Sequence, residues 1–180
     1  MSAEHILVAL DHSECAHLVA EEATQIALTT GARLTFVHAI AMPQGMSSDV
    51  LIAPDPDKGA VAAGDYLRAD AEGRIAILRA EAEAKGVTAY VQIEQGEPAE
   101  VILAAAERLN VRMIVMGTHG RRGIARLLLG SVAEEVLRRA TCPVLSVRSV
   151  HRPECEARSC GWCKTHLTDA SRQVAAELEG

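Results

Sequence analysis

Aromatic side chains are almost missing from this chain of 180 residues, which holds one Trp, two Tyr and one Phe. A sheet that reads RNA or single-stranded DNA displays stacking aromatics, so this content argues against that class of surface. The core must instead be built from Val, Ile, Leu, Ala and Met, within a hydrophobic content of 49% that is ordinary for a globular protein. Positive charge is short as well. Lys and Arg number 18 against 24 Asp and Glu, a formal charge of −6, so no basic field exists to attract a polyphosphate backbone. No apolar run is long enough to cross a bilayer and no signal peptide is recognisable, so the expectation is a cytoplasmic protein with neither a nucleic-acid nor a membrane partner. In that compartment thiols stay reduced, and clustered cysteines point to metal or redox chemistry before disulfides. The length suits one domain with a substantial core and a short appendage.

What is there alternates. His5 to Leu10 reads as a first strand and Ser13 to Leu28, with apolar residues at helical spacing, as a first helix ended by Gly31. Arg33 to Ala39 supplies a second strand. Met42 to Gly64, carrying Pro43, Pro54 and Pro56, reads as a loop. Tyr66 to Ala84 is a second helix closed by Gly86, and Val87 to Ile93 a third strand. Pro98 to Leu109 forms a third helix with Pro98 in its first turn. Val111 to Met116 is a fourth, buried strand, Ser131 to Leu137 a fourth helix, and Cys142 to Arg148 a fifth strand whose early Pro143 suits a sheet edge. Five strands alternating with four helices imply right-handed crossovers, hence an α/β fold: a Rossmann-like, doubly wound, mostly parallel sheet with helices on both faces.

Between the fourth strand and fourth helix lies Gly117-Thr118-His119-Gly120, then Gly130-Ser131, a G-x2-G-x9-G-S pattern. A phosphate needs backbone N–H groups at close range, and glycine admits that approach and takes positive φ where a loop requires it. Ser131 can cap the free N–H groups of the helix start or donate to a phosphate oxygen, and Arg121 and Arg122 add positive charge. Ordinary turn glycines are the alternative, but a place after a strand and before a helix favours phosphate. Two better-known phosphate loops are excluded. No segment has Gly, four residues, Gly-Lys and Ser or Thr, and Gly117, Gly120 and Gly123 recur every third residue, which does not make G-x-G-x-x-G. Doubly wound sheets bind ligands beyond the carboxyl ends of their strands, where strand order reverses. If the first and fourth strands are neighbours there, Asp11 shares a crevice with the glycine loop. It would suit the ribose or base end of a nucleotide, and capping the first helix remains its other role.

These residues resemble the universal stress protein family over roughly residues 3 to 149: a first strand ending in Asp11, a second ending in Val37-His38-Ala39, the G-x2-G-x9-G-S pattern, and Cys142-Pro143-Val144-Leu145-Ser146-Val147-Arg148 at the end. The resemblance implies strand order 3-2-1-4-5, a homodimer formed partly by the last strands, and, in the family's ATP-binding branch, a bound ATP. It implies that Ala9, Asp11 and Ala39 lie by the adenosine, and that Gly117, Thr118, His119, Gly120, Arg121, Gly130, Ser131 and Val132 hold the phosphates. Ala9 and Leu10 stand where some ATP-binding members have Pro and Thr, and Ala39 where many have Val. His119 could act as a base toward water, but no loop carboxylate is placed to hold Mg²⁺, the ion that would accompany ATP. The expectation is binding and switching, with at most slow hydrolysis and no catalytic residue assigned.

The division expected is a nucleotide-binding domain over 1–149 and a Cys/His-rich extension with a short helix over 150–180. The extension holds three of the chain's five cysteines. Cys155, Cys160, Cys163 and His166, with His151 as the competing imidazole, offer a tetrahedral Cys₃His set for zinc. Cys160-Gly161-Trp162-Cys163 also has the form of a redox pair, the cysteine run occurs in iron–sulfur proteins though a fourth cysteine is missing, and a disordered tail with free thiols is the remaining alternative. Cys15, His17 and His38 read as structural residues. Two classes of function stay open: a stress-response or regulatory protein that binds ATP, with zinc in its tail, or a metal or thiol-redox sensing adaptor whose nucleotide site is structural or vestigial.

Overall fold

The computed structural model describes residues 4–11, 13, 16–43, 45–55, 59–118 and 130–147. Its strands are β1 (His5–Ala9), β2 (Arg33–Ile40), β3 (Leu51–Ile52), β4 (Val61–Ala62), β5 (Ala89–Gln95), β6 (Met113–Gly117) and β7 (Val144–Val147). Its helices are α1 (Ala16–Thr30), α2 (Ala63–Ala84), α3 (Pro98–Arg108) and α4 (Ser131–Arg139). Five strands make one parallel sheet in the order β5-β2-β1-β6-β7. With the two-residue β3 and β4 set aside, that is the order 3-2-1-4-5.

The sheet is covered on both sides, which is why its strands are apolar on successive residues and do not alternate. All five residues of β1 are buried. Ile6, Val8, Leu34 and Phe36 pack against Val19, Ala23 and Ala27 of α1 and Ile75 and Leu78 of α2. Leu7, Val37, Ile114 and Met116 face the other way, toward Val101, Ile102 and Ala105 of α3 and Val136 of α4. Phe36, the chain's one phenylalanine, is fully buried in the second strand of the sheet, and truncating such a ring costs about 3–5 kcal/mol. Gly31 and Gly86 end α1 and α2 at φ values of 71° and 90°, donating back to Ala27 and Glu83 at 2.9 Å each. They terminate the helices where a residue with Cβ would be strained. Pro98 sits in the first turn of α3, and β7, preceded by Pro143, is an edge strand.

One expectation is corrected. The segment between Met42 and Gly64 is not simply a loop: Leu51 pairs with Ala62 and Ile52 with Val61 as an antiparallel hairpin. The hairpin's approach satisfies the start of α2, whose N-cap Ala62 makes no side-chain bond. Ala63 N–H donates to the Val50 carbonyl at 2.8 Å and Gly64 N–H to that of Ser48 at 2.9 Å. The helix therefore begins at Ala63, three residues before Tyr66.

Candidate functional site

Strand order reverses between β1 and β6. The chain steps outward on one side through β2 and β5 and on the other through β7, so the carboxyl ends of β1 and β6 flank the place that no crossover helix among the described residues covers. β1 and β6 are direct neighbours, Ala9 opposite Met116. Asp11 follows β1 and is exposed, and Gly117 ends β6 with Thr118 after it, both half-buried. The first and fourth strands of the sequence reading thus bring Asp11 and the glycine segment to one edge. Ala9 lies opposite Val37, and Ala39 stands two residues further along β2, half-buried at the same end.

Gly130 N–H donates to the Thr118 carbonyl at 2.7 Å, and Thr118 N–H to that of Val147 in β7 at 3.0 Å. Thr118 and Gly130 are therefore joined by one backbone bond, and Thr118 is tied to β7. His119, Gly120 and Arg121 lie within that segment, outside the described residues. Gly130 is the N-cap of α4 at φ −75°, ψ 155°, with no side-chain cap bond. Its φ is ordinary, and Ser131, for which capping and phosphate contact are the two roles considered, is an exposed first-turn residue. The first intrahelical bond runs from Glu134 N–H to the Gly130 carbonyl at 2.9 Å, so the amides of Ser131, Val132 and Ala133 fall in the turn that has no helical acceptor. Such amides, with the helix dipole behind them, favour an anion. Arg139 at the far end of α4 donates to Glu100 of α3 at 2.5 Å and to Glu135 at 2.7 Å, an exposed bracing of the helix that carries this turn.

Asp11 Oδ1 accepts from Ser13 N–H at 3.1 Å ahead of α1, the kind of bond by which a carboxylate orders the approach to a helix. A residue that the sequence reading took as merely structural holds the peptide before Asp11. His38 is buried, and its Nδ1 lies 2.8 Å from the Leu10 carbonyl, so Nδ1 carries the proton. Burial is the largest influence on this imidazole and pushes its pKa down, against the pull of the Leu10 bond and of Asp11 and Asp70. A polar residue interrupting an apolar run near a strand's carboxyl end was the available signal.

No group of three or more His, Cys, Asp and Glu among the described residues could hold a metal. Cys155, Cys160, Cys163, His166 and His151 all lie outside those residues, as does Cys15. Cys142 is half-buried and burial pushes its thiol pKa up, so it has no thiolate character. An open cleft of about 490 Å³ occurs at the opposite, amino end of the sheet, among residues that include Glu4, His5, Arg33 and Arg112. Arg33 opens β2 and Arg112 precedes β6, and Arg112 pairs with Glu4 at 3.0 Å. Among the described residues no helix is long and apolar enough to cross a membrane.

An open parallel sheet with helices on both faces and a strand order that reverses between β1 and β6 defines a doubly wound α/β protein. The chain belongs to the universal stress protein family, whose profile matches residues 3–148. A universal stress protein of Thermus aquaticus is 35% identical over 144 residues, covering 79% of this chain and 97% of that one. The solved structure of a family protein from Burkholderia pseudomallei is 30% identical, covers 80% of this chain and 95% of that one, and superposes with a TM-score of 0.60. The same fold is found in the Archaeoglobus fulgidus universal stress protein in complex with dAMP, at 21% identity, 81% and 98% coverage and a TM-score of 0.58. A universal stress protein in complex with cAMP shares it at 24% identity, 83% and 100% coverage and a TM-score of 0.56.

Proposed function

We propose that this protein is a regulatory ATP-binding member of its family that holds the nucleotide across the carboxyl ends of β1 and β6. The observation that carries the reading is the strand-order reversal, with Asp11 after β1 and, after β6, Thr118 bonded to Gly130 at the first turn of α4. Relatives of the same fold hold adenine nucleotides. In this reading Ala9, Asp11 and Ala39 meet the adenosine, the alanines leaving room and the carboxylate accepting from ribose hydroxyls. Gly117, Thr118, His119, Gly120, Arg121, Gly130, Ser131 and Val132 meet the phosphates through backbone N–H groups, the Ser131 hydroxyl and the Arg121 cation. Mg²⁺ would enter on the phosphates. No side chain is assigned a proton-transfer step, so occupancy and not turnover is the signal. The exposed edge of β7, all four of whose residues are half-buried, suits a second copy of the chain.

Gly130 adopts a backbone conformation open to any residue, so Gly130→Leu should fold, with its side chain set where phosphate would lie. Calorimetry should find ATP binding in the parent and none in the folded variant; unchanged affinity would sink the assignment. A second reading places zinc on Cys155, Cys160, Cys163 and His166, with His151 in reserve. It is favoured by the concentration of thiols and imidazoles in the tail. Metal analysis of protein purified without an affinity tag should return one zinc per chain. Metal-free protein with a reducible Cys160–Cys163 disulfide would favour the sensing adaptor instead.

A further inference from the structure

We propose that His38 is a positioning residue of the nucleotide site, holding the Leu10 carbonyl through Nδ1–H and so fixing where Asp11 presents its carboxylate. The inference rests on the nucleotide reading above. The backbone pairing of β1 with β2 ends at Ala9 opposite Val37. Past that pair Leu10 N–H donates to the Val37 carbonyl at 2.9 Å, and the Leu10 carbonyl accepts from the His38 imidazole at 2.8 Å. Both backbone groups of Leu10 are therefore tied to consecutive residues of β2, and the peptide that leads into Asp11 cannot turn without breaking one of them. The imidazole is only 6% exposed, and a hydrogen bond in so dry a place is strong and costly to leave unmade.

The second anchor lies on the far side of the same peptide, where Asp11 Oδ1 takes the Ser13 N–H at 3.1 Å. A carboxylate held at its main chain and its side chain gives up little freedom when ribose hydroxyls arrive, and that saving appears as affinity. Asp11 from the β1–α1 junction and Asp70 and Arg74 from α2 are the charged groups that act on the imidazole. His38 itself need not touch the ligand.

The test is calorimetry of the full chain with ATP and with inorganic tripolyphosphate. It compares the parent with His38→Leu, which has no donor, and His38→Asn, whose side-chain N–H replaces Nδ1–H. His38→Leu should weaken ATP about tenfold and leave tripolyphosphate unchanged, while His38→Asn stays within about twofold of the parent. In an Asp11→Asn background His38→Leu should add no further loss, because the two act on one contact. Unchanged ATP affinity in His38→Leu, an equal loss toward tripolyphosphate, or a His38→Asn as weak as His38→Leu overturns the proposal. If His38→Leu does not fold, His38→Gln, with its donor one bond too far out, replaces it under the same criteria. A parent that binds no ATP overturns the nucleotide reading itself, an outcome distinct from a parent that binds and does not respond.

Discussion

At the scale of single residues, two buried histidines tie adjacent segments of the fold together. His5 Nε2 lies 2.8 Å from Thr35 Oγ1, joining β1 to β2 near their amino ends, and His38 does the same for their carboxyl ends. Both pKa values are pushed below the ordinary imidazole value, in each case chiefly by burial. The sign follows from linkage. Between the lowered folded value and the ordinary value of about 6.5 the unfolded chain binds more protons, so stability rises with pH across that window and is lost as pH falls through it. Melting temperature should therefore drop between about pH 7.5 and pH 5, before most carboxylates titrate. The double variant His5→Gln/His38→Asn, neutral throughout, should flatten that slope; a parent profile already flat would refute the argument. These roles were hard to read from sequence because a histidine inside an apolar run looks the same whether its partner is a backbone carbonyl or nothing. Gly31 and Gly86 were legible, because a left-handed helix end is a local demand met by one residue type. Gly130 was legible in place but not in cause, since its φ is ordinary.

At the scale of elements, the strands and helices with a long apolar period could be read directly, whereas the hairpin could not. β3 and β4 are two residues each and exposed at Leu51, so neither carries a pattern. The start of α2 was missed for a related reason: its cap comes from the backbone of Ser48 and Val50 and not from a side chain. That arrangement makes two glycines of one helix differ in sign. A Cβ on Gly73 would meet nothing within 4 Å, so Gly73→Ala should stabilise the exposed helix by about 0.5–1 kcal/mol. A Cβ on Gly64 would lie 2.9 Å from Ser48 Cβ and 3.3 Å from its carbonyl oxygen, driving the hairpin off the helix start. Gly64→Ala should lower the melting temperature and speed proteolysis between residues 46 and 61. Thermal unfolding and limited digestion of the pair check this, and a Gly64→Ala that matches Gly73→Ala would show that the hairpin is not a cap.

At the scale of the whole molecule, alternation of strands and helices dictates a parallel sheet, but no local pattern dictates the order of its strands. That order came from the family resemblance, and it is what places Asp11 beside Gly117. Among the described residues, the buried clusters on the two sheet faces run from Ile6 and Leu7 to Val144, Leu145 and Val147, which are packed against them. A core of that extent suits an independent domain of about 150 residues, the size at which folding buries roughly two thirds of the chain's surface. We therefore expect residues 1–149 alone to fold cooperatively, to melt within about 4 °C of the full chain, a shift worth some 1–2 kcal/mol at this size, and to bind ATP as the full chain does. If the tail holds zinc as proposed, the fragment should carry none, because every thiol and imidazole proposed for zinc lies beyond residue 150. Differential scanning calorimetry, ATP titration and metal analysis of fragment and full chain together separate the outcomes. A fragment that is unfolded, or that folds but no longer binds ATP, would mean that the tail completes the domain or the nucleotide site; a fragment that keeps stoichiometric zinc would remove the metal from the tail.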